Sequence, residues 1–391
     1  MSNNGKNTSV AKLLPIFFCF AVMGFIDIIG VATNYVREDF SLSDGVANLL
    51  PMLSLIWFLL ISIPCAGLMN RIGRKNTVLL SLVIMAAALA IPVFGYGKIL
   101  IFISFGLLGI GNTIMQVSLN PLLGNIVSDR QLTGSLTFGQ FVKSVISFFG
   151  PILMGTFALN SGDWRYIFYV YAAATLIALV WLWLTPIEKE QKTESSGSFV
   201  SAFSLLKDGF VFMCFFTILM SVGFEICLTT LVPRHFSSVS GMSIEKAGMA
   251  CSIFYAMKML GTFVGAILLT KTSPSAFLKV TTVGLAASFA AYWASGAGWM
   301  LYLFLVLVGI FGANVFSIAF SLAMQHRPEK SNDVSALMIT GVAGGALLPP
   351  LMGALSDAAG FYACFAVPFA AAAAMLLIAF ALGRKIQKIN Q

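Results

Sequence analysis

Apolar runs of about twenty residues, the length an α-helix needs to cross a bilayer, recur along the whole chain with short polar turns between them. They fall at residues 13–36, 46–69, 77–95, 99–126, 134–158, 164–185, 208–232, 246–270, 276–295, 299–323, 334–356 and 361–383. The pattern predicts an all-α membrane protein with twelve transmembrane helices, numbered here as spans 1 to 12 in that order. Composition agrees: 59% of residues are hydrophobic and 10% charged, with a mean hydropathy of +0.93. No soluble domain of ordinary composition approaches that. A net charge of +8 would raise the question of nucleic acid in a soluble chain. Here the basic residues sort by side of the membrane, so the expected partner is the lipid bilayer and no nucleic acid.

With the N-terminus placed inside, sixteen of the 23 Lys and Arg fall on the cytoplasmic side. Arg37, Lys98, Arg165, Arg234 and Lys246 fall outside, and Lys143 and Lys258 remain within spans. That asymmetry predicts a multi-pass protein with both termini cytoplasmic, placed in a bacterial inner membrane. The first run continues to Val36 and meets Arg37-Glu38-Asp39. It lacks the short core and small-residue cleavage site of a signal peptide, so it is expected to be retained. The six cysteines lie inside apolar runs without metal-ligand spacing and read as small buried hydrophobes, so no metal or cofactor is expected. Trp164 and Trp299 near span ends read as interfacial anchors, and Trp57 in mid-span 2 reads equally as packing or as an aromatic face for a ligand.

Asp27 stands fourteen residues after Leu13 in the first run, where a charge is costly and usually functional. Glu225 stands 198 residues later in span 7 (225 minus 27). The same offset links Gly67 to Gly265 and Gly155 to Gly353, and Gly109-Ile110 recurs at Gly309-Ile310. These anchors predict an internal duplication with six-helix halves at 1–185 and 208–391. A cytoplasmic linker is expected at 186–207, containing the polar run PIEKEQKTESSG.

Four charges lie deep in the spans, Asp27, Lys143, Glu225 and Lys258. Burying one alone costs several kcal/mol, so Asp27 is expected to pair with Lys143 and Glu225 with Lys258. A carboxylate whose lysine is drawn away by substrate would gain proton affinity, which couples binding to a cation. Polar residues also form stripes at helical spacing: Asn112, Gln116 and Asn120 in span 4; Gln140, Lys143, Ser144 and Ser147 in span 5; Ser221, Glu225 and Thr229 in span 7; Asn314, Ser317 and Ser321 in span 10. A neutral sugar would use the amides of Asn112, Gln116, Asn120, Gln140 and Asn314 with an aromatic face from Trp57 or Tyr255. An anionic sugar acid would recruit Lys143 and Lys258. Single hydroxyls more often hold helices together than bind a ligand.

The turn after span 2, GLMNRIGRK, resembles the loop signature of the major facilitator superfamily, G-x-L-x-D-R-x-G-R-K. It matches through Gly67, Arg71, Gly73, Arg74 and Lys75, with the leucine one place early and Asn70 in the aspartate position. Residues 331–360, containing ITGVAGGALLPPLMGALSDAAG, resemble the fucose permease branch of that superfamily, as do Ser221-Val222-Gly223-Phe224-Glu225 and Asn120-Pro121. The resemblance implies the major facilitator fold, with two pseudo-symmetric six-helix halves and spans 1, 4, 7 and 10 around a central cavity. It implies secondary active transport of a small sugar by alternating access, with a coupling proton or sodium, in a monomer. The branch carries an acid four residues before its Asn-Pro, where this chain has Gln116, and its span 1 acid lies nearer Val31 or Ala32 than Asp27. The proton site has therefore moved to Asp27 or Glu225, or sodium replaces the proton, or the protein is a facilitator. A drug/proton antiporter or an organic anion transporter is the alternative, the former through a partial match at Gly150-Pro151. An enzyme is not expected: no H-E-x-x-H occurs, and His235 and His326 fall on opposite sides.

Overall fold

Residues 10–42, 46, 49–188, 199–241 and 250–389 are described by the computed structural model. Ten of the 22 residues of the expected linker (189–198), the start of span 8, and Lys6, Lys189, Lys192 and Lys246 lie outside the described residues. Among the described residues there is no strand. Eleven helices are long and apolar enough to cross a membrane, and the bent pair Leu49–Leu60 and Ser62–Ile72 makes the twelfth. The all-α, twelve-span expectation holds.

The pair in span 2 meets at 58°, and Pro64 explains the break. It has no N–H to return to the Leu60 carbonyl, and its ring crowds that carbonyl. The ladder resumes with Cys65 N donating to Ile61 O at 3.0 Å. Gly73 then ends the span at φ 87°, a backbone region that glycine alone enters at low cost.

Three other spans are interrupted. Span 1 runs as Val10–Met23, a 3-10 turn at Gly24–Ile28 and Ile29–Asp39. Span 10 is Gly298–Gly312 and Val315–His326, and span 11 is Ser331–Thr340, a 3-10 turn at Gly341–Ala343 and Gly344–Ala359. Spans 4, 5 and 7 are unbroken as Lys98–Ile126, Asp129–Ser161 and Gly209–Ser240.

The duplication is visible in the helix ends and, more tellingly, in the crossings. Lys98–Ile126 and Gly298–His326 start and stop 200 residues apart (298 minus 98, 326 minus 126). A Cβ on Gly109 would lie 2.7 Å from Ser54 O, and one on Gly309 would lie 2.9 Å from Phe254 O. The contacts between spans 2 and 4 and between spans 8 and 10 are thus the same crossing, built twice on the same glycine. Such close approach is how helices pack where lipid removes the hydrophobic drive between them.

The chain forms two compact units. The first comprises Met1–Leu132, Val142–Phe203 and Arg327–Thr340; the second comprises Thr133–Phe141, Ser204–His326 and Gly341–Gln391. In the first, Phe20, Met23, Phe105 and Phe168 are fully buried; in the second, Phe236, Phe289, Tyr292 and Phe365 are.

If the glycine crossings hold the units together, Gly109→Ala and Gly309→Ala should each lower the apparent melting temperature in detergent, at a cost of about 1–3 kcal/mol from overpacking. Gly155→Ala, whose added carbon would meet nothing within 4 Å, should not. Equal melting curves for all three variants would refute the assignment.

Candidate functional site

Gly24 determines where Asp27 points. A Cβ there would be 2.8 Å from Lys143 O and 3.1 Å from Ile146 Cβ, so only glycine lets span 1 touch span 5 at this level. Side chains three residues apart eclipse in a 3-10 turn, which puts Asp27 on the same face as Gly24. There Ser147 Oγ donates to Asp27 Oδ2 at 2.5 Å, and Lys143 Nζ stands 3.4 Å from the same oxygen. Oδ1 has no partner among the described residues. The Asp27 side chain is 36% exposed.

The second centre is tighter. Lys258 Nζ donates to both oxygens of Glu225 at 2.6 Å, with side-chain exposures of 25% and 23%. Gly223 repeats the role of Gly24, its missing Cβ lying 2.8 Å from Gly344 O of span 11. Both expected ion pairs therefore form, but they are not equivalent. Lys143 comes from span 5, whereas span 11 offers Gly344 at the matching place, and Glu225 finds its cation on span 8 instead.

The other sequence candidates divide between the units. In the first, Asn112, Gln116 and Asn120 are buried. Asn120 Nδ2 donates to the Gln116 backbone carbonyl at 2.9 Å, and neither amide atom of Asn112 has a partner among the described residues. Trp57 packs on the Gly109 crossing, a packing role. In the second unit, Gln140 is half-buried and Tyr255 exposed. Asn314 sits at the break in span 10 and donates to Gly261 O at 3.0 Å, against the notch of Gly261 and Gly265. That contact makes Asn314 a clamp between spans 8 and 10. Ser321 is likewise engaged, 2.7 Å from Thr133 Oγ1.

In the signature turn, Gly67 and Arg71 flank Asn70 on the last turns of span 2. Arg74 is buried and holds residues from spans 4 and 11 within the first unit. Its Nε donates to Asn332 Oδ1 at 2.8 Å and its Nη1 to Pro121 O at 3.2 Å, with further bonds to Asn125 and Ser331. Asn332 Nδ2 in turn donates to Asn70 Oδ1 at 2.6 Å. An amide pair thus occupies the place of the family's aspartate. Lys75 Nζ caps the end of span 6, donating to Trp183 O at 3.0 Å and Thr185 O at 2.8 Å.

Trp164 is not an interfacial anchor. It is buried because its Nε1 donates to Asp39 Oδ2 at 3.0 Å, an oxygen that also accepts from Tyr96 Oη at 2.5 Å. Arg165 lies 4.6 Å over the Tyr96 ring and pairs with Asp163 at 2.7 Å. Its hydrogen bonds hold the Asp163 carboxyl below its usual range, while burial and the nearby Asp39 push Tyr96 up. Trp299, at 69% exposure, fits the anchor role.

Sequence reasoning missed one residue near Asp27. Tyr171 of span 6 stacks on Phe25 with ring centroids 3.7 Å apart, and its hydroxyl is buried without a partner among the described residues. An aromatic inside an apolar run carries no sign of this.

Among known proteins, a model of the Major Facilitator Superfamily matches residues 13–348. The chain is similar to the glucose/galactose transporter of Brucella abortus, 24% identical over 392 residues that cover 94% of this chain and 92% of the relative. It is also similar to the putative glucose/galactose transporter of Helicobacter pylori, 23% identical over 380 residues and 91% of each chain. Its fold matches FucP, the E. coli fucose:proton symporter, in the outward conformation, with a TM-score of 0.83 and 18% identity over 95% of this chain and 98% of that one.

Removing one member of the tight pair leaves an uncompensated charge, so Glu225→Gln should lower the apparent melting temperature more than Asp27→Asn, by about 1–3 kcal/mol for a partly exposed pair. The double change Glu225→Gln with Lys258→Met should recover most of the loss in the same thermal-shift measurement. An equal or larger loss in Asp27→Asn would contradict the ranking of the two centres.

Proposed function

The chain belongs to the Major Facilitator Superfamily, a family of transporters and not of enzymes, and from that premise we propose that it carries a neutral sugar across the membrane with a coupling cation. The observation that supports this reading is the state of the two deep lysines. Each faces an acid, so neither of these two lysines stands unpaired awaiting an anion. Asp27, by contrast, keeps one carboxylate oxygen free and a third of its side chain exposed.

A sugar hydroxyl can donate to Asp27 Oδ1 while Lys143 Nζ, held at only 3.4 Å, turns to donate to a sugar oxygen. Asp27, left without its cation in apolar surroundings, then takes up a proton. Binding and coupling thereby share one carboxylate. Glu225, held by Lys258 through both oxygens, is the structural pair. The names of the two bacterial relatives favour glucose and galactose as first substrates to try. Gln116, where the resembling branch has an acid, binds without titrating. The rest of the proposal is alternating access by halves at 1–185 and 208–391 joined by a linker at 186–207, in a monomer in a bacterial inner membrane with cytoplasmic termini. One observation favours an organic anion instead: the loose Lys143 could exchange Asp27 for a substrate carboxylate.

Counterflow of labelled glucose, galactose, fucose and a sugar acid in proteoliposomes tests the reading. At least one neutral hexose should exchange. Asp27→Asn should cut accumulation against a gradient by about tenfold or more, the worth of one pKa unit of coupling, and exchange by much less. Exchange of the sugar acid alone, lost in Lys143→Ala, would replace the sugar with the anion. A sodium gradient that drives uptake at constant pH would replace the proton.

A further inference from the structure

Tyr171 has a buried hydroxyl with no partner among the described residues, and it is placed against the turn that carries Asp27. Its ring stacks flat on Phe25 at 3.7 Å. Its hydroxyl occupies the slot left by the missing side chain of Gly150: a Cβ there would stand 2.5 Å from Tyr171 Oη and 2.6 Å from Ile28 Cγ2. Phe25 and Ile28 are eclipsed on the 3-10 turn Gly24–Ile28, so the hydroxyl is bracketed by both, one residue from Asp27. A buried hydroxyl without a partner is costly, and nothing else in the packing accounts for a tyrosine here in place of phenylalanine.

The turn itself can move Asp27. A 3-10 segment advances 120° per residue and an α-helix 100°. The outer half of span 1, Ile29–Asp39, is anchored at its end by the bonds of Asp39 to Tyr96 and Trp164. With that half fixed, rewinding the turn into α-helix swings Asp27 by about 40°, two residues at 20° each, away from span 5 and toward the face that holds Tyr171. Asp27 is met by Lys143 and Ser147 from span 5, and Tyr171 from span 6 lies on the next face of the turn, against Phe25. Span 4, which also packs on the turn, has no charged residue except Lys98 at its far end.

We propose that Tyr171 is the second partner of Asp27: when Lys143 and Ser147 release the carboxylate, the turn rewinds and the protonated carboxyl donates to Tyr171 Oη. The inference rests on the reading of Asp27 as the coupling acid. It assigns Tyr171 a positioning role, stabilising the neutral form of Asp27, and assigns Gly150 the role of keeping the hydroxyl's slot open.

The test is the pH profile of hexose uptake in proteoliposomes for the parent, Tyr171→Phe, Gly150→Ala and Asp27→Asn. Tyr171→Phe keeps the stack and removes only the orphaned hydroxyl, so it should fold as the parent does. Loss of an acceptor for the protonated carboxyl lowers the proton affinity of Asp27, so half-maximal uptake should move to lower pH by about half to one unit. Gly150→Ala, acting from the other helix, should shift the profile the same way. A Tyr171→Phe profile that overlays the parent while Asp27→Asn abolishes accumulation overturns the inference and leaves Asp27 in place. Accumulation unchanged in Asp27→Asn, or parent uptake that does not vary with pH, overturns the reading beneath it as well.

Discussion

A charge at bilayer depth has to meet its opposite, and both units of this chain are built to satisfy that requirement. Leaving a lysine or carboxylate alone there would cost several kcal/mol, so backbones must approach closely enough for short side chains to touch. Gly24 permits the approach in the first unit, pressed on the carbonyl of Lys143 itself; in the second, Gly223 makes the like contact with Gly344 of span 11 while Lys258 reaches Glu225 from span 8. The two units then meet the same demand differently. Glu225 spends both oxygens on Lys258; Asp27 shares a single oxygen between Ser147 and a more distant Lys143.

Much of the fold is legible in the sequence because the bilayer imposes one length and one polarity on every span. The break in span 2 falls at Pro64, yet a proline alone does not announce it, since Pro121, Pro151 and Pro233 lie inside the unbroken spans 4, 5 and 7. The 3-10 turn at Gly24–Ile28 has no mark in the sequence either: GFIDI contains no proline, and the irregularity arises where Gly24 meets the Lys143 carbonyl. The same holds for span 10, whose break presents Asn314 to the Gly261 carbonyl. Tertiary contacts between distant segments set both, and helical periodicity is silent about them.

At the site, counting charges was enough to anticipate the partners, since two acids and two bases within spans leave few arrangements. It could not give the distances, or show that one pair is held through both carboxylate oxygens and the other through one. The amide stripe of span 4 was visible as a period of four, yet its burial and the missing partners of Asn112 depend on the surrounding helices. Trp164 read as a lipid anchor because composition alone cannot separate an indole bonded across a helix seam from one facing lipid, and the bond that Asn314 makes to Gly261 O was equally out of its reach.

The scaffold is duplicated and the chemistry is not, and that difference bears on which acid can change partners. The crossings at Gly109 and Gly309, and at Gly24 and Gly223, recur at offsets of 200 and 199 (309 minus 109, 223 minus 24). The acids stand three residues after Gly24 but two after Gly223. Span 7 carries Glu225 on an unbroken helix, Gly209–Ser240, whereas span 1 carries Asp27 on a turn wound differently from the helix on either side. A symmetric pair of tight ion pairs would hold both units rigid. Here one pair is tight and stands on a regular helix, and the other is loose and stands on an irregular turn. The coupling proposed for Asp27 asks its carboxylate to release a lysine, take up a proton and find a new partner; that sequence needs a backbone able to turn beneath the side chain, and of the two acids only Asp27 stands on a turn wound differently from the helix around it.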